Sequence, residues 1–139
     1  MRRLLDRYGI LYESYSTSPE VNVSAQKKPT VLYVVLYDSQ GNRAEGKTYY
    51  IGEPIKIEST LYWKDAEGVQ HPVEGKTIKF YHRLNDGAAE VIDTKTTDYN
   101  GYCETTFTLD KPGKHTFYTM FEGDEEYEGC QKLAKMFAR

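Results

Sequence analysis

Apolar and polar residues alternate with a period of two along most of this chain, and turn residues punctuate the alternation at short intervals. Cys103, Thr105, Phe107 and Leu109 interleave with Glu104, Thr106 and Thr108, the period of a half-buried strand. His115, Phe117, Thr119 and Phe121 then share one parity, while Thr116, Tyr118, Met120 and Glu122 take the other. Asn100-Gly101 precedes the first of these strands as a pair that accepts positive φ at both positions of a tight hairpin turn. Lys111-Pro112-Gly113 separates the two strands, Pro presetting φ and Gly accepting left-handed geometry. Together they predict one edge of an all-β sandwich.

The same alternation extends upstream. Ile55, Ile57, Ser59, Leu61 and Trp63 fall on one face of a strand, and Lys56, Glu58, Thr60, Tyr62 and Lys64 on the other. Ile78 and Phe80 mark the inward face of the next strand, Asn85-Asp86-Gly87 a turn, and Val91-Ile92 a short strand after it. Residues 31–37 read Val-Leu-Tyr-Val-Val-Leu-Tyr, apolar on both faces. Such a strand is expected to be covered on both sides or packed against a partner chain.

The two ends depart from the pattern. Residues 2–8 read as a short helix with Gly9 as its left-handed stop, residues 10–15 as a short strand, and residues 22–29 as a polar linker. The chain therefore divides into an arm and linker, residues 1–29, and a β-sandwich, residues 30–139. Residues 130–139 pull two ways. Gln131, Lys132, Ala134 and Lys135 are good helix formers, and Leu133, Met136 and Phe137 would share a helical face. Topology asks instead for a last strand beside the Phe117 strand, and that is the reading adopted.

Composition narrows the function. A chain of 139 residues suits one domain with a tail. Its 18 basic and 21 acidic residues give a net charge of −3, which points neither to nucleic acid nor to an anionic membrane. No apolar run approaches the roughly 20 residues that span a bilayer. Leu4-Leu5 sits in a charged stretch too short for a signal-peptide core, so export is not expected. Cys103 falls on an inward face, where a free thiol behaves as a small apolar residue; a bridge to Cys130 would not copy the cross-sheet bridge of antibody domains. Thirteen tyrosines are the compositional oddity. Tyr62, Tyr81, Tyr102 and Tyr118 lie opposite the apolar parity of their strands, where a ring and a hydroxyl suit protein or carbohydrate contacts. High β propensity alone also places Tyr there.

Catalytic chemistry is not expected. His71 sits on a loop, and His82 and His115 on two different strands, none with a partner at metal-ligand spacing. No nucleophile elbow, zinc-protease helix or phosphate-cradling loop occurs. Asp98, Asn100 and Asp124-Glu125-Glu126 offer oxygens on turns, but turns select these residues for backbone reasons. The reading is thus of no enzyme, no metal and no cofactor. Arg2, Arg3 and Arg7 form the local basic cluster, either solvated or facing an acidic neighbour.

Residues 96–129 contain Thr-Asp-x-Asn-Gly, a Phe-x-Leu strand, Pro-Gly-Lys, an aromatic strand and Phe-x-Gly-Asp-x-x-Tyr. With Gly52-Glu53-Pro54 and Val73-Glu74-Gly75-Lys76 upstream, this order resembles the bacterial and archaeal immunoglobulin-like (Big-type) modules over residues 30–130. The resemblance implies an immunoglobulin-like β-sandwich of about seven strands. Leu-Leu-Asp-Arg-Tyr-Gly at residues 4–9 resembles the start of tailed-phage head–tail completion and neck proteins. Together they imply a structural, interacting subunit of a virion neck, tail or capsid-associated layer. The alternative is an adhesion or spacer module on a bacterial or archaeal cell surface. The expected partners are neighbouring protein subunits, including further copies of this chain, with carbohydrate as a further ligand class. The expected contact residues are Arg3, Leu4, Leu5, Tyr8, Tyr12 and Tyr15 on the arm, and Tyr33, Tyr37, Tyr62, Tyr81 and Tyr118 on the sandwich.

Overall fold

Two sheets, antiparallel but for one short strand, enclose one core in the computed structural model, which describes residues 26–139. Before them, only the backbones of β1 (Leu5–Asp6) and β2 (Tyr8–Gly9) are described, paired antiparallel. The helix expected over residues 2–8 otherwise falls outside the described residues, as do the strand expected at residues 10–15 and Arg3, Leu4, Tyr12 and Tyr15.

The strands that follow are β3 (Thr30–Tyr37), β4 (Thr48–Tyr49), β5 (Pro54–Lys64), β6 (Gln70–Pro72), β7 (Thr77–Leu84), β8 (Glu90–Thr96), β9 (Tyr102–Thr108), β10 (Gly113–Phe121) and β11 (Cys130–Ala138). In one sheet the long β5 has β3 along one side, with β9 and then β6 in series along the other. The second sheet runs β4-β11-β10-β7-β8, with β4 parallel to β11 and every other neighbour antiparallel. Alternation decides which side chains meet between them. Ile55, Ile57 and Leu61 from one sheet face Ile78, Phe80, Phe117 and Met136 from the other, all at most 1 % exposed. Burial of each such side chain contributes about 1.5–3 kcal/mol.

Several expectations change. β9 and β10 do not pair: β9 lies beside β5 and β10 in the middle of the other sheet. Residues 109–112 therefore arch between sheets; β9 is an edge of the first sheet, whereas β10 is interior to the second. The turn before β9 is held by Asp98, whose carboxylate accepts from the backbone N–H groups of Asn100 (2.8 Å) and Tyr102 (3.0 Å). There only Gly101 takes positive φ (+76°); Asn100 does not. β3 is an edge strand with Leu32 and Leu36 buried; on its opposite face Val31, Val35 and Tyr37 are half-buried and Tyr33 is 42 % exposed. His71 lies on β6 rather than on a loop. The last segment is a strand; Ala134, Met136 and Ala138 point inward, and Leu133 and Phe137 outward.

Candidate interaction surface

Alternation leaves each sheet an outer face, and the expected tyrosines divide between the two. On the first, cross-strand register sets Tyr33 opposite Thr60 and Thr60 opposite Tyr102; Val31 faces Tyr62, which faces Pro72. Tyr33 meets Tyr62 edge to face at 5.8 Å, and its hydroxyl accepts from Gln70 Nε2 at 2.8 Å. Tyr37 stands further along, with Lys56 Nζ 5.8 Å from its ring centre. Lys56 also pairs with Glu58 at 3.2 Å. Beside it, the Tyr102 hydroxyl donates to the Glu104 carboxylate. Burial, reinforced by that carboxylate, pushes the Tyr102 phenol well above its ordinary range.

On the second sheet one row crosses four strands. Val91 lies opposite Tyr81, Tyr81 opposite Tyr118, and Tyr118 opposite Leu133. Val91 and Leu133 are 53 % and 46 % exposed at its two ends. Arg83 flanks the row and donates to the Tyr118 hydroxyl at 3.2 Å. A bulge between Phe80 and Tyr81 aligns Tyr81 with Val91. Tyr81 and Tyr118 thus belong to a continuous apolar stripe, while Tyr33, Tyr37 and Tyr62 lie on the opposite side of the sandwich. Parity turns these tyrosines outward, and the two sheets then divide them between two faces. Leu133, Val91 and the nearby Phe137, 39 % exposed, were not among the expected contact residues; for Leu133 and Phe137, strand parity through Met136 was the signal.

The point where the arm enters is fixed by aromatics and ion pairs. Lys28 Nζ sits 4.7 Å from the Trp63 ring centre and 5.4 Å from that of Tyr127. Its backbone bonds to both Glu126 and Glu128. Trp63 stacks on His71 at 4.6 Å, which makes it a rim anchor. The Asp124 carboxylate meets Lys76 at 2.6 Å and accepts from the N–H groups of Glu126 and Tyr127. Lys76 and these donors hold it down at about 2. The carboxylates of Asp98 and Asp124, considered as cation ligands, are thus engaged in ordering turns.

Inside, two histidines far apart in sequence form a pair. His115 Nε2 lies 2.8 Å from the Lys111 carbonyl oxygen, and its Nδ1 lies 2.7 Å from His82 Nε2. A carbonyl only accepts, so His115 donates to it from Nε2–H; in its neutral form the ring then accepts from His82 at Nδ1. His82 stacks on Phe107 at 4.2 Å, and burial, then His115, depress its basicity. His115 is fully buried, in keeping with a core role. Both thiols are free; burial pushes Cys103 up to about 12 and raises Cys130 as well.

No family model and no curated protein matches the chain. Among solved structures, a β-glucosidase from Listeria innocua is 13 % identical with a TM-score of 0.42, over 77 % of this chain and 16 % of the enzyme. The chain thus spans about a sixth of that protein's length (16 %). A superoxide reductase (neelaredoxin) from Ignicoccus hospitalis is 10 % identical with a TM-score of 0.44, over 86 % of this chain and 88 % of the other.

Proposed function

We propose that this chain is a non-enzymatic structural and interaction protein, a subunit of a virion neck, tail or capsid-associated layer. The observation that carries the interaction reading is the uninterrupted row Val91–Tyr81–Tyr118–Leu133 across four strands. Rigid aromatic rings with hydroxyl groups, on the surface of a sheet, contribute contact area at low entropic cost. Contact with a neighbouring subunit would bury them. Arg3, Leu4, Leu5, Tyr8, Tyr12 and Tyr15 on the arm complete the proposed contact set. The virion setting rests on the resemblance of residues 4–9 to neck-protein openings.

The sandwich is proposed to be immunoglobulin-like. Its supports are the order β3-β5-β9 in one sheet against β11-β10-β7 in the other, and the parallel pairing of β4 with β11. One feature favours a second reading, an adhesion or spacer module of a cell-surface protein. Thr30 lies beside Trp63 at one pole, whereas Arg139 bonds to Tyr49 and Ile51 at the other. A chain that enters at one pole and leaves at the other suits modules joined end to end, with carbohydrate contacts through exposed Tyr.

Light scattering on the full chain distinguishes the two. The subunit reading expects a defined oligomer that dissociates when Leu4 and Leu5 are replaced by Asp. A monomer whose mass and melting temperature ignore those changes would favour the spacer module.

A further inference from the structure

The outer face of the second sheet carries charge of one sign. Cross-strand register puts Lys79, Arg83, Lys114 and Lys135 on the same face as Tyr81 and Tyr118. The carboxylates within β7, β8, β10 and β11 are Glu90 and Asp93, and they lie opposite the inward-pointing His82 and Phe80. The first sheet is balanced by comparison: Lys56 and Lys64 share its outer face with Glu58 and Glu104. In a chain of net charge −3, a purely basic face is a segregation of charge that composition alone does not give.

Most of these cations have capacity to spare. Arg83 makes one hydrogen bond among the described residues, to Tyr118, and reaches Asp86 only at 3.7 Å. Lys114 comes no nearer than 3.9 Å to the same carboxylate, whose side chain is 90 % exposed. Lys135 is exposed, with no carboxylate partner among the described residues. Only Lys79 is closely engaged, by Glu122 at 2.8 Å. Arg83 and Lys135 occupy the next outward positions after Tyr81 and Leu133, so the cations flank the apolar row. An apolar centre with a charged rim is the anatomy of a protein interface.

Charge and side-chain type also choose the occupant. Bases and sugars stack on aromatic faces, whereas the most exposed side chains of the row are the aliphatic Val91 and Leu133. A second copy laid face to face would set like charges against each other. The acidic segment of a second copy, residues 122–128, is committed within its own chain: Glu122 to Lys79, Asp124 to Lys76 and Glu126 to Lys28. We propose that the outer face of the β11-β10-β7-β8 sheet docks an acidic, apolar-centred face of a different protein chain, whose carboxylates meet Arg83, Lys114 and Lys135. This rests on the subunit reading and specifies the chemistry of the neighbour. Four strands about 4.8 Å apart and about 25 Å long offer about 500 Å² to that neighbour, which suits a weak contact at the lower bound of specific interfaces.

The probe is a random glutamate–tyrosine copolymer, titrated into the full chain and followed by amide chemical shifts, with heparin in parallel. The copolymer should shift Tyr81, Val91, Tyr118 and Leu133. Its affinity should fall at least about tenfold in Leu133→Asp, and as much in Lys114→Glu combined with Lys135→Glu. Lys27→Glu combined with Lys64→Glu makes the same change in net charge away from the face, and should alter affinity less than about twofold. Leu133 and Lys135 are exposed, so their substitution leaves the core intact, and equal urea midpoints check this. Equal losses in the two double variants, or no binding at about 1 mM copolymer, would overturn the assignment of the face. Heparin binding more tightly at the same residues, indifferent to Leu133→Asp, would overturn the protein partner in favour of an acidic polysaccharide. Self-association of the chain that is lost with Lys114 and Lys135 would assign the face to a second copy instead. None of these results decides the subunit reading, which is tested separately at Leu4 and Leu5.

Discussion

Gly101 is where backbone geometry and packing coincide, and replacing it by Ala tests both. Its φ is +76°, a region that costs an L-residue about 1–2 kcal/mol. A Cβ built there would meet the Leu61 carbonyl oxygen at 2.3 Å and Val73 N at 3.2 Å. That carbonyl cannot simply retreat. It accepts from Val73 N–H at 3.1 Å, while Leu61 N–H donates to the Gly101 carbonyl at 2.8 Å. Gly101 is thus the clasp between the end of β9 and the point where β5 passes from β9 to β6. Relieving the overlap strains packing by about 1–3 kcal/mol and weakens bonds worth about 1 kcal/mol each. Gly101→Ala should therefore cost about 3–5 kcal/mol, a large part of the ~5–15 kcal/mol typical of a domain.

Gly68 supplies the control. Its φ is +82°, but nothing lies within 4 Å of a built Cβ. Gly68→Ala should pay the dihedral cost alone, partly offset by about 0.4–1 kcal/mol from a less flexible unfolded chain. Urea unfolding of both variants, with midpoints and slopes compared, gives the difference directly. We expect a gap of about 2–4 kcal/mol. Equal destabilisation within about 0.5 kcal/mol would refute the packing argument and leave only the dihedral one.

Three further outcomes follow from the core. Ser59 Oγ and Thr119 Oγ1 are buried with no partner among the described residues, so Ser59→Ala and Thr119→Val should each stabilise by about 1 kcal/mol in urea melts; destabilisation would mean that an ordered water or a partner satisfies them. His82 has a depressed folded-state basicity, so the unfolded chain takes up the proton first as pH falls through its ordinary 6.5. Stability from this group is complete above that pH and declines below it, by at most about 1.4 kcal/mol per pH unit. Urea midpoints of the native chain should fall with pH there, and His82→Phe should flatten the slope; parallel profiles would reject the assignment. Cys103, its thiol pushed up to about 12 and 7 % exposed, should react with a thiol reagent only as fast as the domain unfolds, and Cys130 sooner.

Alternation predicts the long strands and their inward residues well because burial on one face is a local property of each strand. Neighbour relations are not local. The Cys103–Leu109 and His115–Phe121 segments read like a hairpin, yet their strands stand in opposite sheets, because parity reports the buried face and not the strand alongside. The same limit hid β4 and β6, whose two or three residues pair only because β11 and β5 already stand beside them. It hid the His82–His115 pair, brought together by the β7–β10 ladder across 33 residues of sequence. It also merged tyrosines that the two sheets place on opposite sides.

The C-terminal segment shows how a local conflict points to a surface. Helix propensity separates Gln, Lys, Leu, Ala and Met from average residues by only tenths of a kcal/mol each. Sinking Met136 fully into the core, with Ala134 and Ala138 fitting beneath the facing sheet, gains about 2 kcal/mol or more and a full ladder with β10. Packing therefore wins, and a strand forms. The same choice separates three apolar residues that a helix would have kept on one face. Met136 goes inward, and Leu133 and Phe137 are turned out onto the outer face of the sheet, where Leu133 ends the Val91–Tyr81–Tyr118 row. The ambiguity in the sequence and the apolar end of that row thus have one physical origin.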